Sequence, residues 1–109
     1  MKTCIDNSSF GNLIYSYVDG YNWLELYSNG KCRQGGFVEV SGTAGTKNVT
    51  LLKEMASTDY SILTTDTQST VGNGGSAIKQ STIAVDSFDF FWTSKALTGF
   101  FWEVEGKFS

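Results

Sequence analysis

The chain has 109 residues, the usual size of one domain and too short for two. Of these residues 40% are apolar, and 8 Phe, 5 Tyr and 3 Trp supply the material of a folded core. Eight basic residues against 11 acidic ones give a net charge of −3, so the sequence lacks the basic surplus of nucleic-acid-binding or membrane-surface proteins. The chain has no histidine, which excludes His-dependent nucleophiles, His-led acid–base pairs and His-containing zinc sites.

The composition favours an all-β domain. Proline is absent, glycine occurs 12 times, and Ser and Thr together contribute 25 residues against five alanines, so good helix formers are scarce. No apolar run approaches the ~18 residues that a membrane-spanning helix needs. The first residues also lack the apolar stretch of an export signal, so none is expected.

In chain order, residues 1–20 are predicted to be a lead-in segment. Residues 7–12 are rich in turn formers, residues 13–18 suit a short strand, and Asp19-Gly20 is a turn dipeptide.

A β-hairpin is predicted around Asn29-Gly30. The preceding residues alternate, which places Leu24 and Leu26 on the face opposite Trp23, Glu25 and Tyr27. Asn-Gly between two strand-like runs favours a type I′ turn, in which both central residues take positive φ.

The rest of the chain continues as short strands. Gly35-Gly36 predicts a bulge or bend, residues 41–45 and 67–76 predict loops, and residues 53–56 suit a single helical turn. The remaining predicted strands cover residues 31–34, 37–40, 46–52 and 59–65, two strands within 77–92, and 100–105. Six to eight short strands at roughly ten-residue spacing indicate an antiparallel β-sandwich or a small barrel.

Seven of the aromatic residues lie between Phe88 and Trp102. Strand alternation groups Phe88 and Phe90 with Trp92, and Phe100 with Trp102 and Val104, as two apolar faces that belong in the core. Trp23 is predicted to join Trp92 and Trp102 there. Phe91 and Phe101 point to the opposite face, side by side if the two strands pair. Such an exposed patch usually meets another subunit or a ligand, and we predict a subunit interface.

The sequence gives little indication of a reactive or catalytic site. Cys4 and Cys32 could form one disulfide, but free thiols are favoured, since no feature indicates an oxidising compartment. Glu103 and Glu105 share one strand face about 7 Å apart, but two neighbours on a flat strand rarely form a glycosidase cleft. We therefore expect no enzymatic activity, no metal and no cofactor.

Three segments together resemble the small domains at the C-terminal ends of bacteriophage tail fibres. WLELYSNGKCRQGG (residues 23–36) resembles W-x-x-x-Y-S-D-G-W-x-E-Q-G-G, with Lys31 in place of the second Trp and Arg33 in place of the acidic residue. LLKEM (51–55) with the later DY (59–60) resembles L-x-K-x-[FM] then [DT]-x-x-Y. FWEVEG (101–106) resembles the closing [FY]-x-W-x-x-x-G-[YF]. The match covers about residues 21–108, in order.

The resemblance implies a β-sandwich tip domain over residues 21–109, with residues 1–20 leading in as from the end of a fibre shaft. It further implies a parallel homotrimer that binds a glycan or protein receptor on the surface of a host bacterium. Such a protein would be made in the host cytoplasm and work in the virion, without nucleic-acid binding or membrane insertion.

Polar loops with aromatic neighbours are the predicted receptor contacts. The residues concerned are Thr67, Gln68 and Asn73 in one loop, Ser41 and Thr43 in another, and Tyr60 and Phe37 as stacking faces. Two alternatives remain from the sequence: a monomeric carbohydrate-binding module of a larger secreted enzyme, and a structural virion component without receptor contact.

Overall fold

The computed structural model describes residues 11–41, 44–70 and 74–109. Eight strands and one short 3₁₀ helix lie in these ranges: β1 Leu13–Asp19, β2 Asn22–Tyr27, β3 Lys31–Glu39, β4 Gly45–Thr50, β5 Ser61–Gln68, β6 Ser76–Ile78, the 3₁₀ helix Gln80–Thr82, β7 Ser87–Trp92 and β8 Leu97–Lys107. All pairings between these strands are antiparallel. They form a five-stranded sheet in the order β1-β2-β3-β8-β5 and a three-stranded sheet in the order β4-β7-β6.

The predicted all-β sandwich is therefore confirmed, with two sheets rather than a closed barrel. In the ranges described, no helix is long and apolar enough to cross a membrane.

The first hairpin joins β1 to β2 through Gly20 and Tyr21. Gly20 takes a φ of 62°, which suits the first central position of a two-residue hairpin turn. The turn places Tyr21 at the tip, and β1 pairs with β2 from Leu13 to Asp19. The predicted boundary after residue 20 thus falls inside a hairpin whose first strand is part of the large sheet.

The hairpin between β2 and β3 forms as predicted, but its turn differs from the expected type I′. Only Gly30 takes a positive φ, of 90°, while Asn29 stays in the ordinary region. The Gly30 amide donates to the Tyr27 carbonyl at 3.0 Å, and the loop has three residues. A turn closed by a glycine of positive φ is the common three-residue hairpin solution.

Gly35 and Gly36 do not interrupt β3, which pairs with β8 in continuous register from Lys31 to Glu39. The lack of a side chain at these two positions leaves room for neighbouring indole rings. A Cβ on Gly35 would lie 2.7 Å from Nε1 of Trp23, and one on Gly36 would lie 3.0 Å from Nε1 of Trp102. The predicted bulge is absent, and two indoles pack against the glycines of β3, one on each face.

The core lies between the two sheets and depends on aromatic residues of β7 and β8. Phe90 and Phe100 stack across the sandwich with ring centroids 3.8 Å apart and an interplanar angle of 19°. Phe88 packs edge-on against Trp102 at 6.1 Å. The fully buried members are Phe88, Phe90, Leu97, Phe100, Val104, Met55 and Cys32, and Trp92 and Trp102 are nearly so.

Three features of the fold differ from the predictions. Trp23 is half-buried on the outer face of the large sheet, away from the core, because it alternates with the buried Leu24. Strands β7 and β8 lie in different sheets, so Phe91 and Phe101 are not side by side. Residues 53–56 form no helical turn; Met55 instead makes an isolated bridge to Phe108.

A buried glutamine holds the segment after β4 against β3. The Gln34 side chain is fully buried, and its Oε1 accepts the backbone amides of Leu52 at 2.6 Å and Lys53 at 3.1 Å. Its Nε2 donates to the Lys53 carbonyl at 2.8 Å. The Gln34 side chain thereby forms hydrogen bonds to three backbone groups of Leu52 and Lys53, which do not belong to a strand.

Replacing Gln34 by Leu should lower the free energy of unfolding by about 2 kcal/mol, because the Leu52 and Lys53 backbone groups lose their partners. Urea denaturation would measure the change. Gln80→Leu, the same exchange at an exposed position, should change stability by less than about 0.5 kcal/mol. Equal effects of both substitutions would contradict the role given to Gln34.

Cys32 is a free thiol with no exposed surface, whereas Cys4 lies outside the described residues. Burial raises the pKa of the Cys32 thiol to about 11, although the Gln34 amide favours the thiolate slightly. The thiol is therefore neutral and unreactive at physiological pH.

Because the pKa of Cys32 is higher in the folded chain than in the unfolded one, its contribution to stability is complete below pH 9. This contribution should decline as the pH rises from about 9 to about 11, where the unfolded thiol ionises first. Denaturation curves of the wild type and of Cys32→Ala across this range would measure it. The difference between the two proteins should shrink as the pH rises, and a constant difference would contradict the prediction.

Candidate functional site

The outer face of the large sheet carries an apolar area at the end nearest the β1–β2 turn. We call it the outer patch; it comprises Val18, Tyr21, Trp23, Phe37, Leu63 and Phe101. The strand register places Val18 beside Trp23 and Phe37 beside Phe101, with Leu63 on the neighbouring strand β5. Several members are strongly exposed, Val18 by 74% and Tyr21 and Leu63 by 67% each, so the patch is a real surface rather than a second core.

Three rings form the centre of this patch. The centroid of Phe37 lies 4.7 Å from that of Phe101 and 5.4 Å from that of Tyr21, and Tyr21 meets Phe101 edge-on at 5.8 Å. Phe37 reaches this position because it lies over Gly99, where a Cβ would collide with the ring. Beside the rings is a shallow hollow of about 440 Å³ whose lining includes Trp23, Leu63, Thr65 and Glu103.

The other half of the same face is charged and balanced. The register places Arg33 between Glu25 and Glu105, Lys31 opposite Lys107, and Glu103 opposite Gly35, all on the outward face. These three basic and three acidic groups cancel, so this half carries no net charge with which to attract an ionic ligand.

Arg33 organises the charged half. Its Nη2 lies 3.0 Å from Oε2 of Glu103, its Nη1 lies 3.5 Å from Oε1 of Glu25, and its Nε lies 3.9 Å from Oε1 of Glu105. The hydrogen bond to Glu103 is the main reason that the pKa of Arg33 is raised above its usual value. The guanidinium also lies 5.6 Å from the centre of the Trp23 ring, which joins the charged half to the outer patch.

Strand β1 forms the exposed edge of the large sheet, with Val18 on the face of the outer patch and Tyr15 and Tyr17 on the opposite face, beside Leu26 and Leu24. All seven of its residues are exposed, and Leu13, Ile14, Tyr15 and Tyr17 have between 41% and 60% of their surface in contact with solvent. An exposed edge strand with apolar side chains is typical of a surface that pairs with another chain.

Phe91 and Phe101 lie on opposite sides of the sandwich. Phe101 is 42% exposed on the outer face of the large sheet, and Phe91 is 37% exposed on the outer face of the small sheet. The sequence correctly indicated that both rings point away from the core, but they cannot belong to one continuous patch.

The predicted receptor residues do not form one cluster. Thr67 and Gln68 belong to β5 rather than to a loop, and the Thr67 hydroxyl lies 2.9 Å from that of Thr98. Ser41 is exposed after β3, whereas Thr43 and Asn73 lie outside the described residues.

Tyr60 and Phe37 also differ from the expectation. Tyr60 lies at the opposite end of β5 from Thr67, roughly 23 Å away by strand geometry. It packs against the core, its hydroxyl donates to the Ala84 carbonyl at 2.7 Å, and burial raises its pKa, so it offers no open stacking face. The Phe37 ring packs against Tyr21 and Phe101 in the outer patch. Sequence reasoning missed Tyr21 and Leu63, which only the strand order brings to these rings.

Solved tail-fibre structures share this fold. It is similar to an N-truncated R2-type pyocin tail fibre, with a TM-score of 0.60, 15% sequence identity and 93% of this chain covered. It is equally similar, with the same three values, to a Pseudomonas aeruginosa R2 pyocin fibre fragment comprising C-terminal residues 323–691. The architecture is therefore one that tail fibres use.

The likeness covers only part of those proteins, since this chain spans 41% of the first and 28% of the second. No protein-family model matches the sequence. No curated protein matches it either.

Replacing Arg33 by Gln should lower the free energy of unfolding by about 1 kcal/mol at low salt, because three carboxylates lose their shared cation. The loss should shrink in about 1 M NaCl, where such interactions are screened. Lys47→Gln is the matched control, since Lys47 makes no ion pair with any described residue. Equal losses for both variants in low-salt denaturation would contradict the role of Arg33.

Proposed function

We propose that this chain is a non-catalytic tail-fibre tip domain that works as a homotrimer and binds a receptor on the surface of a host bacterium. The observation that carries the proposal is the combination of a tail-fibre fold with a large exposed apolar patch on one sheet. The resemblance of residues 23–36, 51–60 and 101–106 to phage fibre domains supports it independently.

The outer patch supports self-association. Burial of apolar surface contributes about 25 cal/mol per Å², so covering a ring such as Phe101 is worth roughly 1.5–3 kcal/mol in each subunit. A cyclic trimer repeats this contribution at each of its contacts, each of which joins two different surfaces of neighbouring subunits. Tyr21 and Leu63, which surround Phe101 with most of their surface exposed, would add to it.

The carboxylates of the large sheet favour binding over catalysis. Glu103 and Glu105, the pair that the sequence offered as an acid–base candidate, both contact the single guanidinium of Arg33. A glycosidase needs two carboxyl groups in different environments on either side of a bond, and this flat shared arrangement supplies neither.

The assembly and attachment parts of the proposal need separate measurements. Light scattering should give three times the mass of one chain, and a fluorescently labelled chain should attach to the surface of some strains in a panel of bacteria. A stable monomer would contradict the trimer and favour a monomeric carbohydrate-binding module. A trimer that attaches to no strain would instead favour a purely structural virion component.

Phe101→Asp should convert the trimer to monomers, because each contact would then hold a carboxylate without a partner. Circular dichroism should stay native, since Phe101 lies outside the core. Trp102→Asp, one residue further along, should abolish folding, because Trp102 is only 5% exposed. If Phe101→Asp keeps the mass of the wild type, the outer patch is not the subunit interface.

A further inference from the structure

The small sheet presents one aromatic ring on an otherwise polar surface. Phe91 lies on its middle strand, β7, between Thr46 of β4 and Ala77 of β6. The other outward positions of β4 and β7 hold only polar side chains, namely Asn48, Thr50, Ser87 and Asp89. This surface differs in kind from the outer patch, where several apolar side chains lie together.

The Phe91 ring borders a hollow of about 530 Å³ that is also lined by Ala44, Gly45, Thr46 and Lys79. Alanine and glycine leave room above the ring, while Thr46 and Lys79 supply a hydroxyl and an ammonium group. Within the described part of the chain, Phe91 has no aromatic neighbour, unlike Phe101, which contacts two rings. An open ring with a few hydrogen-bonding groups is the usual composition of a site for a small polar ligand.

A saccharide matches this combination. The C–H face of a pyranose ring can lie on the electron-rich face of Phe91, and its hydroxyl groups can bond to Thr46. Lys79 makes no ion pair with any described residue, and the nearby Asp89 carboxylate accepts from Nδ2 of Asn48 at 2.8 Å. Lys79 is the one charged side chain in the lining of the hollow, and the Asp89 carboxylate does not belong to that lining. This local positive charge favours a sugar that carries a carboxylate.

The backbone around the hollow is held before any ligand arrives. The Lys79 amide donates to the Asp89 carbonyl at 3.0 Å, and the Lys79 carbonyl accepts the Thr82 hydroxyl at 2.6 Å. The Thr82 Oγ1 in turn accepts the Asp89 amide at 2.9 Å. These bonds fix the base of the lysine beside β7, which reduces the ordering cost of binding.

The hollow lies at the end of the small sheet where Gly45 of β4 and Ser76 of β6 both pair with Trp92 of β7. We propose that Phe91, Thr46 and Lys79 form a subsite for an acidic saccharide of the bacterial surface. This inference rests on the proposed function and gives its receptor a chemical class. It also assigns Phe91 to the ligand rather than to the subunit contact.

The test is an NMR titration of the full chain with methyl glucuronide, methyl galacturonide and N-acetylneuraminate, each beside the neutral methyl glucoside and methyl galactoside. At least one acidic sugar should shift the amides of residues 44–46, 77–79 and 91. It should bind at least about fivefold more tightly than the neutral sugars. If no acidic sugar shifts these amides, the proposal is overturned.

Substitutions separate the roles of the ring and the charge. Phe91→Ala should weaken binding at least about tenfold, whereas Phe91→Tyr, which keeps the ring, should retain it. Lys79→Gln should reduce the affinity for the acidic sugar to that for the neutral ones, and Lys47→Gln on the neighbouring strand should leave it unchanged. Unchanged affinity in Phe91→Ala would overturn the proposal.

Mass and attachment measurements on the same variants distinguish this inference from the proposed function. Phe91→Ala should keep the trimer mass while attachment to host cells falls. A loss of the trimer in this variant would place Phe91 in the subunit contact and overturn the subsite. Full attachment by Phe91→Ala would also overturn the subsite but leave the tail-fibre proposal intact, whereas failure of the wild type to attach to any strain would contradict that proposal itself.

Discussion

The alternation of side chains along β8 is the constraint on which the rest of the structure depends. This strand of 11 residues pairs with β3 on one side and β5 on the other, so its pleat decides the orientation of both neighbours. Phe100 points inward and stacks on Phe90 of the other sheet, while Phe101 points outward into the outer patch. A slip of one residue would exchange these two faces and leave the small sheet without its packing partner.

Much of this could be predicted because strand alternation is a local property. The inward faces of β7 and β8, and the opposition of Leu24 to Trp23, follow from a period of two residues and need no knowledge of the neighbours. Which face becomes the core depends on the opposing sheet, however. The sequence predicts Trp23 in the core, but the small sheet covers the Leu24 face instead.

The candidate site was harder to predict because its parts are distant in sequence. Tyr21 in the β1–β2 turn and Phe37 in β3 lie beside Phe101 of the last strand only because β8 pairs with β3. Thr67 and Gln68 were assigned to a loop on composition, yet β8 is long enough to extend β5 through both of them. Amino-acid composition indicates where the preference for strand is low, but the length of the hydrogen-bonded neighbouring strand determines where a strand ends.

The two outer faces differ in chemistry, and this difference separates their roles. On the large sheet, several exposed apolar side chains lie beside charges that cancel. A second apolar protein surface is the kind of partner that would remove the most apolar area there from water. On the outer face of the small sheet, the Phe91 ring stands among hydroxyl, amide and carboxylate groups, beside a lysine, Lys79, that makes no ion pair with any described residue. An apolar partner there would leave those polar groups without water or hydrogen bonds. A polar ligand with one flat apolar side avoids that cost. The two proposals are therefore compatible, since they assign another copy of the chain to the large sheet and a sugar to the small sheet.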